Sequence, residues 1–356
     1  MDLEKAILET PGLLNRLANI SNDPLPDTPA LSAKIKLLWQ CNLACGFCKR
    51  PRPAALISRE KTMEILNHLK QRGLRKIHFS GGEPMLHPQI MEILDDAAEL
   101  ELQVNLTSNG VLIDKEIARK IKKSGVHSIS ISLDGATAKT HDRIRGAKGA
   151  FKATIKALGH LCKKSKKRPQ VRVNTVLTRA NAEELDAIHS LLLSISEKIK
   201  WSILPVDTAY DALRVDEATA RDIQKRCREW KLLSPPPFAI AGSDESGAEI
   251  SAMARGEYGV AARRGPICYA PWLTVFVDAS GQVYPCCMSR GRIPSFGDIN
   301  QTRLEDALSG GSAQTAKRSM AAGIAPTICA KCDDFVAENL IIEKLLNGRG
   351  AAHGQG

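Results

Sequence analysis

Short apolar runs alternate with longer amphipathic stretches along most of the chain. From Lys34 onward, six runs have the length and the β-branched content of strands, and the segments between them carry apolar residues at helical spacing. The predicted strands are Ile35–Trp39, Lys76–Ser80, Gln103–Thr107, Ser128–Leu133, Val171–Leu177 and Ile199–Pro205. The predicted helices cover residues 58–71, 88–100, 114–123, 149–163, 181–197 and 216–232.

Strands that alternate with helices form a parallel sheet with right-handed crossovers. Six such units are too few to close an eight-stranded barrel, so the pattern predicts an α/β fold with an open sheet. Around this core we expect a lead-in at 1–30, the sheet at 31–233, a linker at 234–264, a cysteine-rich domain at 265–345 and a flexible tail at 346–356.

Three cysteines follow the first predicted strand directly. Cys41, Cys45 and Cys48 have the spacing C-x3-C-x2-C. Three thiolates on one short loop can bind three irons of a cubane cluster and leave the fourth iron open to a small chelating molecule. A zinc site or a disulfide pair is the alternative that this spacing alone leaves open.

Polar motifs also follow the next strands, at the strand ends where barrels carry their working residues. The turn Gly81–Pro84 allows a ligand to approach the backbone closely and offers a carboxylate to an ammonium group. Thr107–Gly110 ends the third strand, Ser132–Gly135 ends the fourth, and His141–Gly146 follows. The structural alternative for the Asn-Gly and Asp-Gly pairs is ordinary turn formation.

The cysteine loop, together with Gly81–Pro84 at this distance after it, resembles the radical S-adenosylmethionine (SAM) enzymes. The resemblance implies an open (β/α)6 partial barrel, TIM-like, whose 4Fe–4S cluster is held by the three loop cysteines and binds SAM through its amine and carboxylate. It also implies reductive cleavage of SAM to a 5′-deoxyadenosyl radical that abstracts hydrogen from substrate. Such an enzyme needs an electron donor such as flavodoxin or ferredoxin.

The same resemblance implies a set of cofactor contacts. Glu83 is expected to hold the methionyl amine, Ser132 the ribose, and Arg145 the SAM carboxylate, with Arg143 as its nearby competitor. Asn174 on the fifth strand is expected to lie near the ribose and the adenine. The full set of expected cofactor-binding residues is Gly81, Gly82, Glu83, Asn109, Ser132, Arg145 and Leu177.

A second set of cysteines lies near the C-terminus: Cys268, Cys286, Cys329 and Cys332. Apolar alternation on either side of Asp278–Gly281 predicts a β-hairpin that brings Cys268 and Cys286 together, and Cys329 and Cys332 add a chelating pair. Four thiolates suit zinc and an iron–sulfur cluster equally well.

The spacing C-x9–15-G-x4-C with a later C-x2-C resembles the SPASM domain, and this resemblance implies an auxiliary 4Fe–4S cluster. No cysteine follows Cys332, which departs from the two-cluster SPASM pattern and is similar to its shortened "twitch" form. Of the remaining cysteines, Cys162 and Cys227 fall in helical patterns and are expected in the core. Cys287 is the candidate hydrogen-atom donor to a substrate radical, with a merely structural position as the alternative.

Composition excludes some classes of function. The N-terminus has no secretory signal and no window is apolar enough to span a membrane, so we expect a cytoplasmic protein without a membrane partner. The net charge of +11 favours an anionic substrate. Nucleic acid is disfavoured, because aromatic residues are only 4% of the chain. The densest basic run, 163–168, is expected to be a solvated loop.

A fully cysteine-ligated auxiliary cluster has electron transfer as its expected role, so the sequence predicts a two-electron oxidation. The segment before Lys34 is too short for a leader-peptide recognition domain, which favours a small polar substrate such as a sugar, an aminocyclitol or a nucleotide-linked sugar. The alternatives are an epimerase that uses Cys287, a peptide- or protein-modifying maturase, and a two-cluster electron carrier. Asp207, Tyr210 and Asp211 are candidate positions for a base.

Overall fold

The computed structural model describes residues 2–49, 54–163, 169–206, 208–233, 239–241, 254–255, 267–332 and 335–352. Its strands are β1 Ser32–Lys36, β2 Lys76–Ser80, β3 Gln103–Ser108, β4 Ser128–Ser132, β5 Gln170–Leu177, β6 Lys200–Pro205, β7 Ala239–Ala241, β8 Thr274–Val277, β9 Gln282–Tyr284 and β10 Gly297–Asp298. Its helices are α1 Leu3–Leu8, α2 Leu13–Ala18, α3 Arg59–Gln71, α4 Ile90–Glu99, α5 Lys115–Lys123, α6 Ala138–Arg145, α7 Ala150–Cys162, α8 Leu185–Ile195, α9 Glu217–Leu233, α10 Ala270–Leu273, α11 Leu304–Ser309, α12 Gly311–Ala321 and α13 Val336–Ala352.

The strands form one sheet in the order β10-β9-β8-β1-β2-β3-β4-β5-β6-β7 across the described part of the chain. The strands from β1 to β7 are parallel, as the alternation of strands and helices predicts. The sheet is not closed, which confirms the partial barrel. It is larger than the six predicted strands, because β7 extends one edge and the C-terminal hairpin extends the other.

The predicted hairpin is present and has a second role. Strands β8 and β9 pair antiparallel, with Phe276 opposite Tyr284. On its other side β8 runs parallel to β1, with Ser32 opposite Thr274 and Ile35 opposite Val277. The C-terminal cysteine region is therefore joined to the barrel by backbone hydrogen bonds rather than tethered beside it.

Side chains alternate between the two faces of the sheet, as the strand period requires. The outer face is apolar and packs on the helices: Ala33 and Ile35 of β1 and Ile129 and Ile131 of β4 are at most 1% exposed. The inner face carries half-buried polar residues, of which Lys36 is an example. A polar, partly accessible inner face marks the lumen as the place where a ligand can enter.

Two elements differ from the sequence prediction. Strand β1 ends at Lys36 and not at Trp39, because the chain pairs with the segment 55–57 from there on: the Leu37 amide still donates to the Ser80 carbonyl of β2, but the Leu37 carbonyl accepts from the Ile57 amide and the Trp39 amide donates to the Ala55 carbonyl. Helix α6 is not predicted from its apolar pattern, because its inner face buries His141 and Arg145 together with Ile144.

A second core lies under the C-terminal region. The N-terminal helices contribute Leu13 and Leu17, which pack with Trp272, Leu273 and Ile342. The lead-in at 1–30 is thus part of the support of the C-terminal half. Helix α13 continues to Ala352, beyond the predicted domain end at 345, so the expected flexible tail is helical over 346–352. No helix of the described ranges has the length and apolar content needed to cross a membrane.

Candidate active site

The turn after β2 holds the chain segment that leads into the cysteine loop. The Gly82 amide donates to the Leu38 carbonyl at 2.6 Å, and the Glu83 amide donates to the Gln40 carbonyl at 2.8 Å. This short ladder continues the pairing of β1 with β2 past the end of the sheet. It fixes the backbone immediately before Cys41.

The end of α6 holds the same loop from the other side. The Ala44 amide donates to the Arg145 carbonyl at 3.1 Å, and the Gly46 amide donates to the Ile144 carbonyl at 3.2 Å. These bonds use the carbonyls that the last turn of a helix leaves without intrahelical partners. The two sets of bonds place the loop 41–48 between a turn and a helix end.

Glycine is required where these segments touch. A Cβ atom on Gly82 would lie 2.0 Å from the Gln40 carbonyl oxygen. Gly146 has φ 67°, in the left-handed region, and a Cβ atom there would lie 2.4 Å from the Ala44 carbonyl oxygen. Both contacts are with backbone, which cannot move aside without displacing the cysteine loop.

The loop thiols receive nitrogen donors from the protein. The Leu43 amide lies 3.4 Å from Cys41 Sγ and the Asn109 side-chain amide lies 3.9 Å from it. A guanidinium nitrogen of Arg145 lies 3.7 Å from Cys45 Sγ. Donors of this kind stabilise iron-bound thiolates. The all-sulfur donor set and its N–H neighbours therefore fit an iron–sulfur cluster.

Glu83 is 1% exposed, and the protein itself uses both of its oxygens. Oε1 accepts from the Ser108 hydroxyl at 2.7 Å and Oε2 accepts from the Asn109 amide at 2.7 Å. Burial raises the pKa of the Glu83 carboxyl, while these hydrogen bonds act in the opposite direction. Through these hydrogen bonds Glu83 connects the end of β3 to the turn after β2. Its contact with the methionyl amine remains a prediction.

Asp134, which the sequence analysis did not select, connects the rest of the site. This fully buried carboxylate forms a 2.6 Å ion pair with Arg145 and accepts from the Val176 amide at 2.8 Å. The Asp134 amide donates to His141 Nδ1 at 3.1 Å. The Leu-Asp-Gly sequence resembles an ordinary turn, so this buried pair could not be predicted from it. Asp134 holds Arg145 against the cysteine loop.

The Nε atom of Arg145 is buried and has no hydrogen-bond partner. Its guanidinium also lies 5.4 Å from the centre of the Phe47 ring. The competitor Arg143 is exposed on the opposite side of α6. These positions favour Arg145 over Arg143 as the residue that faces the cofactor.

His141, next to Asp134 and Arg145, makes the stability of the folded protein depend on pH. Burial, followed by the charge of Arg145, lowers the pKa of His141 from 6.5 to about 4. Because the folded pKa lies below the unfolded one, the neutral imidazole contributes stability that is complete above pH 6.5 and is lost as the pH falls toward 4. We expect wild type to lose about 2 kcal/mol more unfolding free energy between pH 7 and pH 5 than His141→Gln, measured by urea unfolding. Equal pH slopes for the two proteins would contradict this.

The inner face brings together two of the expected SAM contacts. Ser132 at the end of β4 lies opposite Asn174 of β5 in the strand register, and both are half-buried. Leu177 is placed differently: it is 2% exposed and belongs to the core between sheet and helices. Its neighbour Val176 occupies the inward-facing position. The expected contact of Leu177 with adenine therefore has less support than that of Ser132 and Asn174 with the ribose.

The three residues proposed as candidate bases at the rim of the barrel differ in their surroundings. Asp207 lies outside the described residues. Asp211 forms an ion pair with Arg214 at 2.6 Å. The Tyr210 ring lies 5.9 Å from Lys49 Nζ, next to the cysteine loop. Tyr210 is thus the rim candidate that the structure places near the site.

The four C-terminal cysteines surround a single cavity of about 600 Å³ with mostly apolar walls. The Asn339 side-chain amide donates to Cys268 Sγ at 3.3 Å. Convergence of four thiols on one apolar cavity with an amide donor fits an iron–sulfur cluster. Within the described ranges, no three Cys, His, Asp or Glu side chains approach closely enough to share one metal ion. Cys162 and Cys227 belong to the core of the barrel, as expected.

The segment after Cys286 reaches from this cavity to the cysteine loop. Cys287 begins a 3₁₀ turn, Cys287–Ser289, and does not line the cavity. Arg290 follows, and its guanidinium donates to the Lys49 carbonyl at 3.5 Å. The two cysteine sets are therefore connected through a segment of only a few residues.

Comparison with known families identifies the chain. Residues 39–192 match the family model for the radical SAM superfamily. The chain is therefore a radical SAM enzyme. Residues 268–333 match the model for the SPASM iron–sulfur cluster-binding domain, so it is more particularly a radical SAM enzyme with a C-terminal SPASM domain. Iron–sulfur clusters and SAM are its cofactors, and the range matched to the SPASM domain contains the four C-terminal cysteines that are predicted to hold the auxiliary cluster.

Two of the curated relatives that match the sequence are enzymes of different kinds. One is the mycofactocin maturase MftC of Mycobacterium tuberculosis, 28% identical over 263 residues, which are 72% of this chain and 65% of the maturase. The other is the AdoMet-dependent heme synthase of Methanosarcina barkeri, 28% identical over 264 residues, which are 69% of this chain and 73% of the synthase. The chain thus spans slightly less than two thirds of the length of the maturase.

Solved structures share the fold. Streptococcus suis SuiB bound to precursor peptide SuiA superimposes with a TM-score of 0.67 at 20% identity, over 91% of this chain and 75% of SuiB. A structure of anSMEcpe with bound AdoMet and a peptide gives a TM-score of 0.62 at 18% identity, over 87% of this chain and 88% of that chain. These likenesses confirm the partial barrel with its C-terminal domain.

Proposed function

We propose that this chain is a maturase that uses radical SAM chemistry to modify a peptide or protein. The observation that carries the proposal is the match to the mycofactocin maturase across 72% of the chain. This replaces the sequence-based preference for a sugar, an aminocyclitol or a nucleotide-linked sugar, because the curated relatives described above are a maturase and a synthase.

The residues of the candidate active site have different roles in the proposed reaction. Cys41, Cys45 and Cys48 would hold the cluster whose chemistry is reductive cleavage of SAM to a hydrogen-abstracting radical. Arg145 is held by Asp134, its Nε has no hydrogen-bond partner, and its guanidinium would bind the SAM carboxylate. The polar inner face receives the substrate.

The auxiliary set of Cys268, Cys286, Cys329 and Cys332 would hold a cluster that can accept an electron. This favours a two-electron oxidation of the peptide, as the sequence predicts. An oxidation removes two hydrogens from the substrate, so the product peptide is lighter by about 2 Da unless another bond breaks as well.

A second candidate is radical chemistry on a tetrapyrrole. The heme synthase relative favours it, because the match covers 73% of that protein, more than the 65% of the maturase. Iron-containing porphyrins are much wider and flatter than an extended peptide, so the two substrates make different demands on the barrel mouth. One assay can distinguish them.

The assay uses reconstituted enzyme with SAM and a low-potential reductant under anaerobic conditions. Three sets of compounds are supplied: short peptides encoded beside the gene for this chain, iron coproporphyrin III, and a panel of sugars and aminocyclitols. We expect a peptide to raise 5′-deoxyadenosine formation above the substrate-free rate and to change in mass. Stimulation by the porphyrin alone would establish the second candidate, and stimulation by the sugar panel alone would restore the sequence-based preference.

Substitution of Cys287 tests whether the reaction is an oxidation or is redox-neutral. If the reaction is an oxidation, Cys287→Ala should retain product formation within about threefold of wild type. If Cys287 returns a hydrogen atom to a substrate radical, the variant should form 5′-deoxyadenosine but no product, and wild type in D₂O should give deuterated product. We expect the first outcome. Cys287→Ser controls for the volume of the side chain.

A further inference from the structure

Two positive groups meet beneath the cysteine loop, one from each half of the protein. Lys36 is the last residue of β1 and lies on its half-buried inner face. Its ammonium lies 5.6 Å from the centre of the Trp39 ring, and the Arg290 guanidinium lies 4.9 Å from the same centre. Trp39 itself is 1% exposed and is fixed by a 2.9 Å hydrogen bond from its indole to Ser280.

Their position relates them to both cysteine sets. Lys36 precedes the cysteine loop by one short segment, and Arg290 follows Cys286 and Cys287. Arg290 also donates to the Lys49 carbonyl at 3.5 Å, directly after Cys48, so both cations lie close to the segments that flank the cysteine loop.

The charges around Lys36 compensate its burial only in part. Among the described residues, no carboxylate forms an ion pair with Lys36. Burial lowers the pKa of Lys36 and Arg290 lowers it further, whereas Cys287, Cys48 and Asp278 act in the opposite direction without restoring the ordinary value. A cation in such a setting is stabilised when an anion binds beside it.

Asp278 is the carboxylate whose charge acts on both Lys36 and Arg290. It is 4% exposed and accepts from the Ser280 amide at 2.9 Å and from the Gln282 amide at 3.3 Å. These bonds close the turn of the hairpin. One oxygen of this carboxylate thus shapes the hairpin, and the carboxylate acts on Lys36 and Arg290 through its charge without forming an ion pair with Lys36 in the described part of the chain.

We propose that Lys36 and Arg290 form a subsite for a carboxylate group of the substrate. Cation–π contacts with Trp39 hold both side chains in place before the substrate arrives. The carboxylate would accept from the guanidinium and the ammonium and would hold the neighbouring carbon atoms at the SAM-binding loop. This inference rests on the proposed function, since a peptide supplies such a group at its C-terminus or on an acidic side chain.

The test uses a simple probe and does not depend on knowing the substrate. Binding of 4-phenylbutyrate and of its uncharged analogue 4-phenylbutyramide to the reconstituted enzyme with SAM is measured by anaerobic calorimetry. We expect the carboxylate to bind and the amide to bind at least about tenfold more weakly. Lys36→Met and Arg290→Gln should each weaken carboxylate binding by about tenfold or more, and Lys36→Arg should restore most of it.

Arg292→Gln is the matched control, because Arg292 is exposed on the same segment and donates to the Met288 carbonyl. It should bind the probe as wild type does. Iron content and the change of the EPR signal on addition of SAM are measured for all four variants, which separates a binding defect from damage to the cysteine loop. Equal binding of carboxylate and amide, no binding of the carboxylate to wild type, or unchanged binding in both Lys36→Met and Arg290→Gln would overturn the subsite. Peptide turnover with any of these results would leave the proposed function intact, whereas carboxylate binding without peptide turnover would refute the function alone.

Discussion

Replacement of Cys41, Cys45 and Cys48 by alanine should abolish 5′-deoxyadenosine formation while the purified protein keeps about four irons, compared with about eight in wild type. The three thiols are the ligands that the loop offers, and the bonds from the turn after β2 and from the end of α6 do not involve their side chains. The fold should therefore survive the change. The measurement is anaerobic iron and sulfide content together with EPR and Mössbauer spectra.

The C-terminal set gives the matched counterpart. Alanine at Cys268, Cys286, Cys329 and Cys332 should leave about four irons and keep the EPR signal that changes when SAM is added. If the loop variant instead contained zinc and no iron, the auxiliary site would not be a cluster and the oxidative proposal would fail. If it retained all the iron of wild type, the loop would not be a cluster site at all.

Gly82→Ala is expected to have the second largest effect, although it adds a single methyl group. The new Cβ would lie 2.0 Å from the Gln40 carbonyl oxygen and 2.5 Å from the Trp39 carbonyl oxygen. Both atoms are backbone, so the turn must separate from the segment before Cys41. We expect a loss of about 3 kcal/mol or more, a fall in apparent Tm of roughly 5–10 °C, and failure to retain the SAM-binding cluster.

Gly159→Ala is the control. Gly159 lies in α7 with nothing within 4 Å of an added Cβ and with an ordinary helical backbone. Alanine there should leave the iron content unchanged and keep or raise the apparent Tm, because alanine is the better helix former. If Gly82→Ala behaved in the same way as this control, the close approach of turn and loop would not be a requirement of the site.

Much of the fold follows from the sequence because strands with one buried face and one polar face leave a clear pattern. Strand β2 and helix α3 begin and end within a residue of their predicted bounds. The pattern fails at β1, because Leu37 and Trp39 are buried without being in the sheet. It also fails at α6, where a buried arginine and histidine take the place of apolar residues.

The parts of the site that depend on the spacing of residues along the chain could be predicted from the sequence. Cysteines at short intervals must lie together, so their grouping could be predicted. Asp134 and Lys36 could not, since each acts through residues distant in sequence: Asp134 through Arg145, and Lys36 through Arg290. The pairing of β8 with β1 could not be predicted either, because no local sequence pattern indicates which edge of a sheet a further strand joins.

That pairing has a consequence for electron flow. Cys41 follows the C-terminal end of β1, whereas Cys268 and Cys286 lie near the N-terminal end of its partner β8. Strand β1 has five residues, or roughly 16 Å of extended chain. If the auxiliary cluster accepts the electron from the substrate radical, as proposed, the hydrogen-bonded strands fix the distance that this electron crosses, because the length of β1 does not depend on whether substrate is bound.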